Sequence, residues 1–345
     1  MAKTSRPKLE EFTDSQVQLE ELRSANLRLQ RQLAAAKERV EDLVAATLQG
    51  AHDGYLVVPR SEIPKPPRSA SKGKAEVALW HLTDWQGGKR TTSYNSEVMR
   101  RRVRLFWEKA RQITEIQRGH HPVDEAVLLF GGDMIEGVMI FPRQAFEIDS
   151  TLHTQWETVS QLVLETVEFA LSIYSRVRVI SEWGNHGRFG SKRDNVPRAD
   201  NVDRMVYAHA RARLRERALG DRLQWEDSAE DIQRVQIGNY RALLIHGDEV
   251  GRLGFVAAQT MIQHVNRWVA GAYPWEFRDC YVGHYHRHAE EPLASGGAIY
   301  WSGSPESDNR YAREQLAAGG EPTQRLHFID PDKGRVSSQH KIYLS

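Results

Sequence analysis

Leu19, Leu22, Leu29, Leu33, Ala36, Val40 and Leu43 recur in alternating steps of three and four, with Asn26 holding the polar place in the series. Glu, Gln, Arg and Lys fill the positions between them, and no Gly or Pro interrupts the run. This spacing is the a/d repeat of a coiled coil, and an Asn at an a position selects register, most often in parallel dimers. Residues 1–49 are therefore expected to form a coiled-coil helix, pairing two chains into a homodimer through residues 12–46. A single amphipathic helix lying on its own domain is the other reading the repeat allows. Residues 50–74 follow, and from Pro59 the run PRSEIPKPPRSASKGK is almost devoid of apolar side chains. It cannot bury enough surface to offset the entropy of ordering, which predicts a linker.

After Ala75 the texture changes to short apolar runs separated by longer stretches of helical period. Val77–Leu82, Ala126–Phe130, Val177–Ile180, Tyr240–Ile245, Cys280–Val282, Ala298–Trp301 and Leu326–Ile329 read as strands. Val103, Phe106, Trp107, Ala110 and Ile113 form one helical stripe, and Leu162, Val163, Val167, Ala170 and Leu171 form another. Such alternation predicts an α/β domain over 75–345, a sheet covered by helices. The last strands have few helices between them, which points to an antiparallel portion or a second sheet making a sandwich.

Composition narrows the setting. The chain has 345 residues, 40% hydrophobic and 27% charged, with no apolar run of bilayer length. The opening MAKTSRPKLEEF lacks the apolar core of a secretory signal, and a single cysteine, Cys280, excludes an internal disulfide framework. A cytoplasmic protein without a membrane partner is expected. The net charge of +1 decides nothing, since basic clusters such as Arg100–Arg104 and Arg204–Arg217 read first as solvated helix faces.

The chemistry sits where the strands stop. Five strand ends in succession carry metal-competent clusters: HLTDWQ (81–86), GGDMIE (131–136), GNHGR (184–188), IHGD (245–248) and GHYHRH (283–288). In open α/β sheets ligands bind at the carboxyl ends of strands, so loops bearing Asp, Asn and His can converge there. Any one of these clusters alone is as well explained by caps and turns. Five in order are not.

The ordered set resembles the calcineurin-like metallophosphoesterase superfamily over most of residues 77–305. GNHGR with Lys192 and DNVDRM, and WSGSPESDNRY before EPTQRLHFID, look like its phage-encoded Mre11/SbcD-like branch. The resemblance implies an αββα sandwich of mixed sheets flanked by helices. It implies two divalent metal ions, Mn2+ foremost, with Mg2+, Fe2+ or Zn2+ as alternatives. Asp84, Gln86 and His286 would hold one ion and Asn185, His246 and His284 the other, with Asp133 bridging. It further implies a metal-bridging hydroxide as nucleophile, His186 as the acid or phosphate contact, and Glu136 orienting from behind. Arg188, Lys192 and Arg193 follow directly after His186 and read equally as a clamp for a phosphate backbone or as a solvated loop. Two departures stand out: Gln86 where the family has histidine, and Gly187 where an acidic residue is common.

The resulting expectation is a phosphodiesterase, foremost a DNA nuclease, in a host cytoplasm if phage-encoded. A phosphoesterase for cyclic nucleotides, nucleotides or phosphoproteins is one alternative. A non-catalytic coiled-coil structural or regulatory protein with a weakened metal site is another. Trp85, Trp183 and Cys280 are expected in the core. Surface or satisfied core positions are expected for His81, His153 and His209; Asp248 and His288 are expected in solvent, with a place behind the ligands as the alternative.

Overall fold

The computed structural model describes residues 20–32, 63–64, 66, 71–141, 144–190, 197–226, 228, 230–250, 255–306 and 321–345. Two compact units divide the chain, Met1–Glu62 and Ile63–Ser345. In the first, residues 20–32 form a helix, α1, on which Leu22 and Leu29 are exposed. Leu19, Leu33, Ala36, Val40 and Leu43 of the expected heptads lie outside the described residues, as does most of the expected linker.

The second unit holds two mixed sheets. The first has the order β11-β10-β1-β2-β3-β4, made of β1 (Val77–Leu82), β2 (Glu125–Gly131), β3 (Arg176–Glu182), β4 (Leu223–Glu226), β10 (Thr323–Asp330) and β11 (Arg335–Tyr343). Strands β1 to β4 run parallel, with β10 and β11 added antiparallel at one side. Parallel neighbours need crossovers, and three helices supply them: α2 (Ser96–Arg118), α3 (Leu152–Ile173) and α4 (Val202–Arg215). Each begins where a polar residue caps it. Asn95, Thr151 and Asn201 accept the amide N–H of Val98, Thr154 and Asp203 respectively.

The second sheet has the order β5-β6-β7-β9-β8, made of β5 (Gln233–Ile237), β6 (Tyr240–Ile245), β7 (Asp279–Val282), β8 (Ala289–Pro292) and β9 (Ala298–Trp301). Helix α5 (Phe255–Arg267) joins β6 to β7. Strand alternation makes the sandwich. Val77 and Leu79 of β1 meet Ala242 and Leu244 of β6 and Tyr281 of β7 in the core between the sheets. The intervening Leu243, Ile245, Cys280 and Val282 face outward, against Met261 and Val265 of α5. On the other side Trp80 meets Phe106 of α2 edge to face, ring centroids 5.3 Å apart. The layers are thus helix, sheet, sheet, helix, the architecture expected.

All seven expected strands are present. The second sheet, however, already begins at β5, and the last strands return to the first sheet. β4, β5, β8 and β11 were not legible as apolar runs; β8 is nearly all polar and exposed, and β11 alternates exposed and half-buried positions. Among the described residues no helix is long and apolar enough to cross a membrane.

Candidate metal centre

Parallel registers align the strand ends. Leu82 pairs with Phe130 and Gly131 with Glu182, so the loops after β1, β2 and β3 leave the sheet side by side. In the other sheet Ile245 pairs with Val282, which sets His246 beside Gly283. The two groups of loops are stitched together. The amide of His284 donates to the Asp84 carboxylate at 3.0 and 3.1 Å, and His246 Nδ1 lies 2.8 Å from the Gly131 carbonyl.

The backbone at these turns is unusual. Asp84, Gln86, Asp133, His284 and His286 all have φ between 49° and 65°, the left-handed region that side-chain-bearing residues rarely enter. Each such residue costs about 1–3 kcal/mol and persists only where its surroundings over-determine it. Here they do: the amides of Asp84 and Gln86 donate to the carbonyls of Gly132 and Asp133 at 2.9 and 3.0 Å, locking the two turns together. Gly184 is required by the same crowding, since a Cβ there would stand 2.0 Å from Asp133 Oδ1.

Asp133 lies at the middle. Its Oδ1 accepts the amide of His186 at 2.8 Å. Its Oδ2 is 3.1 Å from His246 Nε2, 3.3 Å from Gln86 Nε2 and 3.9 Å from His186 Nε2. One donor atom from each of Asp133, His246 and His284 falls within 4.8 Å of the others. His286 Nε2 lies 3.3 Å from Asp84 Oδ1 and 3.4 Å from Gln86 Nε2. Asn185, between Gly184 and His186, is buried.

A divalent cation fits this set. Gln86 Oε1, Asn185 Oδ1 and His246 Nε2 are buried without a hydrogen-bond partner, an arrangement that is costly unless something positive meets them. With Nδ1 of His246 donating to the Gly131 carbonyl, Nε2 is the nitrogen aimed at the Asp133 carboxylate, and although burial opposes protonation, Asp133 raises the ring's pKa well above its ordinary value. Electrostatics within the protein report the same crowding of negative charge. Burial opposes ionisation of Asp133, but His246 and His186 hold its pKa far below the usual carboxylate range. Burial likewise opposes protonation of His286, yet Asp84 and Glu306 raise its pKa to about 10. His284 is lowered to about 4 by burial and by the charge of His246.

His186 stands at the rim. Its Nδ1 is 2.8 Å from the Glu136 carbonyl and 3.4 Å from Glu136 Oε2. Glu136 itself is fully buried. Burial disfavours the imidazolium, but Asp133 and Glu136 outweigh it and lift the His186 pKa to about 9. The ring of Phe141 meets that of His186 edge on, centroids 6.0 Å apart.

Two expectations need correction, those for Asp248 and His81. Arg188 ion-pairs with Asp248, which Arg198 also contacts at 3.1 Å. Asp248, expected in solvent, is buried by that pairing. Lys192 and Arg193 lie outside the described residues. His81 is buried with neither ring nitrogen hydrogen-bonded, so it is not a satisfied core residue. Trp85 and Trp183 are core residues as expected.

Sequence reasoning missed several residues that shape the site. Asp203, at the start of α4, accepts the amides of Gly184, Met134 and Ile135 at 3.0, 3.2 and 3.4 Å, tying the β2 and β3 loops together. Asn201 donates to the Gly184 carbonyl at 2.7 Å and leaves no room at 187, where a Cβ would meet its Oδ1 at 2.1 Å. That explains Gly187 in place of an acidic residue. Lys89 and Glu306 are buried behind the ligand turns. Nothing local in the sequence distinguishes them; only NVD at 201–203, a helix-cap pattern, offered a signal.

No family model and no curated protein matches the chain. Solved structures similar to it include Vps29 complexed with zinc from Entamoeba histolytica, at 12% identity and TM-score 0.35, covering 78% of this chain and 99% of that one. A predicted phosphoesterase from Streptococcus pneumoniae is similar at 13% identity and TM-score 0.29, covering 78% and 98%. The sulfate thiohydrolase SoxB from Thermus thermophilus is similar at 9% identity and TM-score 0.35, covering 78% of this chain and 57% of that one.

Proposed function

We propose that the chain is a metal-dependent phosphoester hydrolase of the calcineurin-like kind, a phosphodiesterase acting on nucleic acid and foremost on DNA. The observation that supports this reading is the meeting of six side chains, Asp84, Gln86, Asp133, His246, His284 and His286, with Asn185 buried on a neighbouring strand-end loop. Among them, Gln86 Oε1, Asn185 Oδ1 and His246 Nε2 are buried and unpartnered. Asp84, Gln86 and His286 would hold a first ion, and Asn185, His246 and His284 a second, with Asp133, whose Oδ2 faces both Gln86 and His246, shared between them. Imidazole, carboxylate and amide donors together suit Mn2+, with Mg2+, Fe2+ and Zn2+ as the alternatives. When bound, a pair of such ions activates water as a nucleophile and neutralises the phosphate oxygens.

The chain's own residues do the rest. His186 donates from Nδ1 to the Glu136 carbonyl, which fixes the ring and leaves Nε2 facing Asp133 and the site. From there Nε2 can hand a proton to a leaving alkoxide, the task of a general acid. Asp133 receives the His186 amide on Oδ1 and so ties the acid to the metal-binding loops.

The choice of nucleic acid rests on the loop after β2. Met139 and Phe146 on this loop are exposed at 62% and 86%, and Phe141 at 37% beside His186. An exposed aromatic ring at the acid's edge favours a substrate carrying a base to stack, which nucleic acid offers and phosphoserine or phosphothreonine does not. The test is incubation with Mn2+ and labelled single- and double-stranded DNA, beside bis-p-nitrophenyl phosphate. Cleavage of DNA that disappears in His186→Ala is expected. Hydrolysis of the small ester with DNA left intact removes the nucleic-acid reading, and hydrolysis of neither removes the enzyme.

A further inference from the structure

Lys89 lies three residues beyond Gln86, where a basic residue in a loop is ordinarily solvated. Instead it is buried, its side chain only 7% exposed. Its Nζ stands between two carboxylates that are themselves out of water, 3.3 Å from Glu306 Oε1 and 3.9 Å from Glu136 Oε2. Each carboxylate in turn backs a histidine of the site. Glu306 Oε2 is 3.1 Å from His286 Nδ1, and Glu136 Oε2 is 3.4 Å from His186 Nδ1.

We propose that Lys89 is a positioning residue for the first metal position, acting through Glu306 on His286 while steadying His186 through Glu136. This inference rests on the two-ion centre proposed for the site. A histidine that donates one ring N–H to a carboxylate is fixed in tautomer and orientation, and its other nitrogen becomes the better ligand. Glu306 can act so only while it stays charged in a buried place, and Lys89 is the cation beside it. Backbone contacts hold the lysine where it is needed. Its amide donates to the Gln86 carbonyl at 2.9 Å, and residue 89 bridges to Ile148. Glu306 is held by its own amide, which donates to Ser304 Oγ at 2.9 Å, while that hydroxyl donates to the Asp84 carbonyl at 2.6 Å. The same short loop therefore places Glu306 and the turn that bears Asp84. Gln86 is a neutral donor in a place where histidine is usual, so the first position depends the more on how well His286 is held.

The experiment is Mn2+ titration of the full chain by calorimetry, with bound Mn2+ read independently by electron paramagnetic resonance. Wild type, Lys89→Met, Glu306→Gln and the double variant are compared. The wild type is expected to take two ions. Each single variant should keep one at unchanged affinity and bind the other roughly 10–100-fold more weakly. Because both substitutions act through His286, the double variant should be no weaker than the singles, whereas independent structural damage would add. Two ions bound with wild-type affinity in both single variants overturn the inference, and so do additive losses. If Lys89→Met fails to fold, Glu306→Gln alone decides, and undiminished two-ion binding in it is a refutation. A wild type that takes a single ion removes the positioning role yet leaves the Asp133 centre standing. A wild type that takes none removes the centre itself.

Discussion

Asp133 Oδ2 lies 3.1 Å from Nε2 of His246, the ring's other nitrogen being turned to the Gly131 carbonyl at 2.8 Å. Two electron-pair donors at that distance, both out of water, repel unless a proton or a metal ion stands between them. The fold imposes the pairing, since it joins the end of β2 in one sheet to the end of β6 in the other.

Metal binding should therefore stabilise the fold. Protein stripped with a chelator is expected to gain about 2.7 kcal/mol when Mn2+ reaches roughly 100 times its dissociation constant, raising Tm by several degrees. His246→Ala should abolish most of that rise. Equal Tm values for stripped and Mn2+-loaded wild type in differential scanning calorimetry would falsify the expectation.

Gln86, like Asn185, is a neutral donor weaker than imidazole. Replacing it by histidine places an imidazole beside Asp133 and His286, and the weaker of two Mn2+ affinities should tighten about tenfold. Calorimetric titration of Gln86→His checks this; a wild-type isotherm would mean that residue 86 is not a ligand.

Gly184 has no space for a methyl group. In Gly184→Ala the new Cβ would meet Asp133 Oδ1 at 2.0 Å and the Asp133 amide nitrogen at 2.3 Å. A loss of about 1–3 kcal/mol in urea unfolding is expected, together with loss of Mn2+ uptake, because the carboxylate must move. Unchanged uptake would show that Asp133 is not central to binding.

Glu182 gives a pH dependence. It is fully buried, with Oε1 accepting the Trp183 amide at 3.0 Å and Oε2 accepting from Gln233 at 2.8 Å. Burial, reinforced by nearby Glu249, pushes its pKa well above the ordinary value of 4.5. The folded state thus holds a proton that the unfolded chain releases near 4.5, so the group's contribution is intact below that pH and is lost as pH rises through the folded value. Glu182→Gln should match wild type in stability near pH ~4 and exceed it increasingly toward neutrality. Urea midpoints across that range, parallel for the two proteins, would contradict the assignment.

The heptads of residues 12–46 carry a separate expectation. Light scattering should give twice the chain mass for the full protein and a single chain mass after deletion of residues 1–49. A monomer both before and after excludes the coiled-coil dimer.

Much was written locally. β1, β6 and β9 coincide with the runs Val77–Leu82, Tyr240–Ile245 and Ala298–Trp301, because strands buried on both faces are apolar at nearly every step, His81 and Arg241 being the exceptions. The site's Asp, Asn and His residues were legible for a related reason: they come directly after such strands, and a strand end fixes where its next residues go. Edge strands were hidden, since β8 (AEEP) and β11 (RVSSQHKIY) meet water and carry little apolar signal.

What the sequence by itself determined, then, was the layered α/β architecture and the chemical kinds of group at five strand ends. Only the tertiary structure decided their conformation and their company. No local preference places Asp84, Gln86, Asp133, His284 and His286 at positive φ; hydrogen bonds between neighbouring loops impose it. Nor does spacing reveal that Lys89 meets Glu306, or that Arg188 turns to Asp248. Charged side chains so distant in the chain choose partners only after packing has shut out the water that would otherwise solvate them.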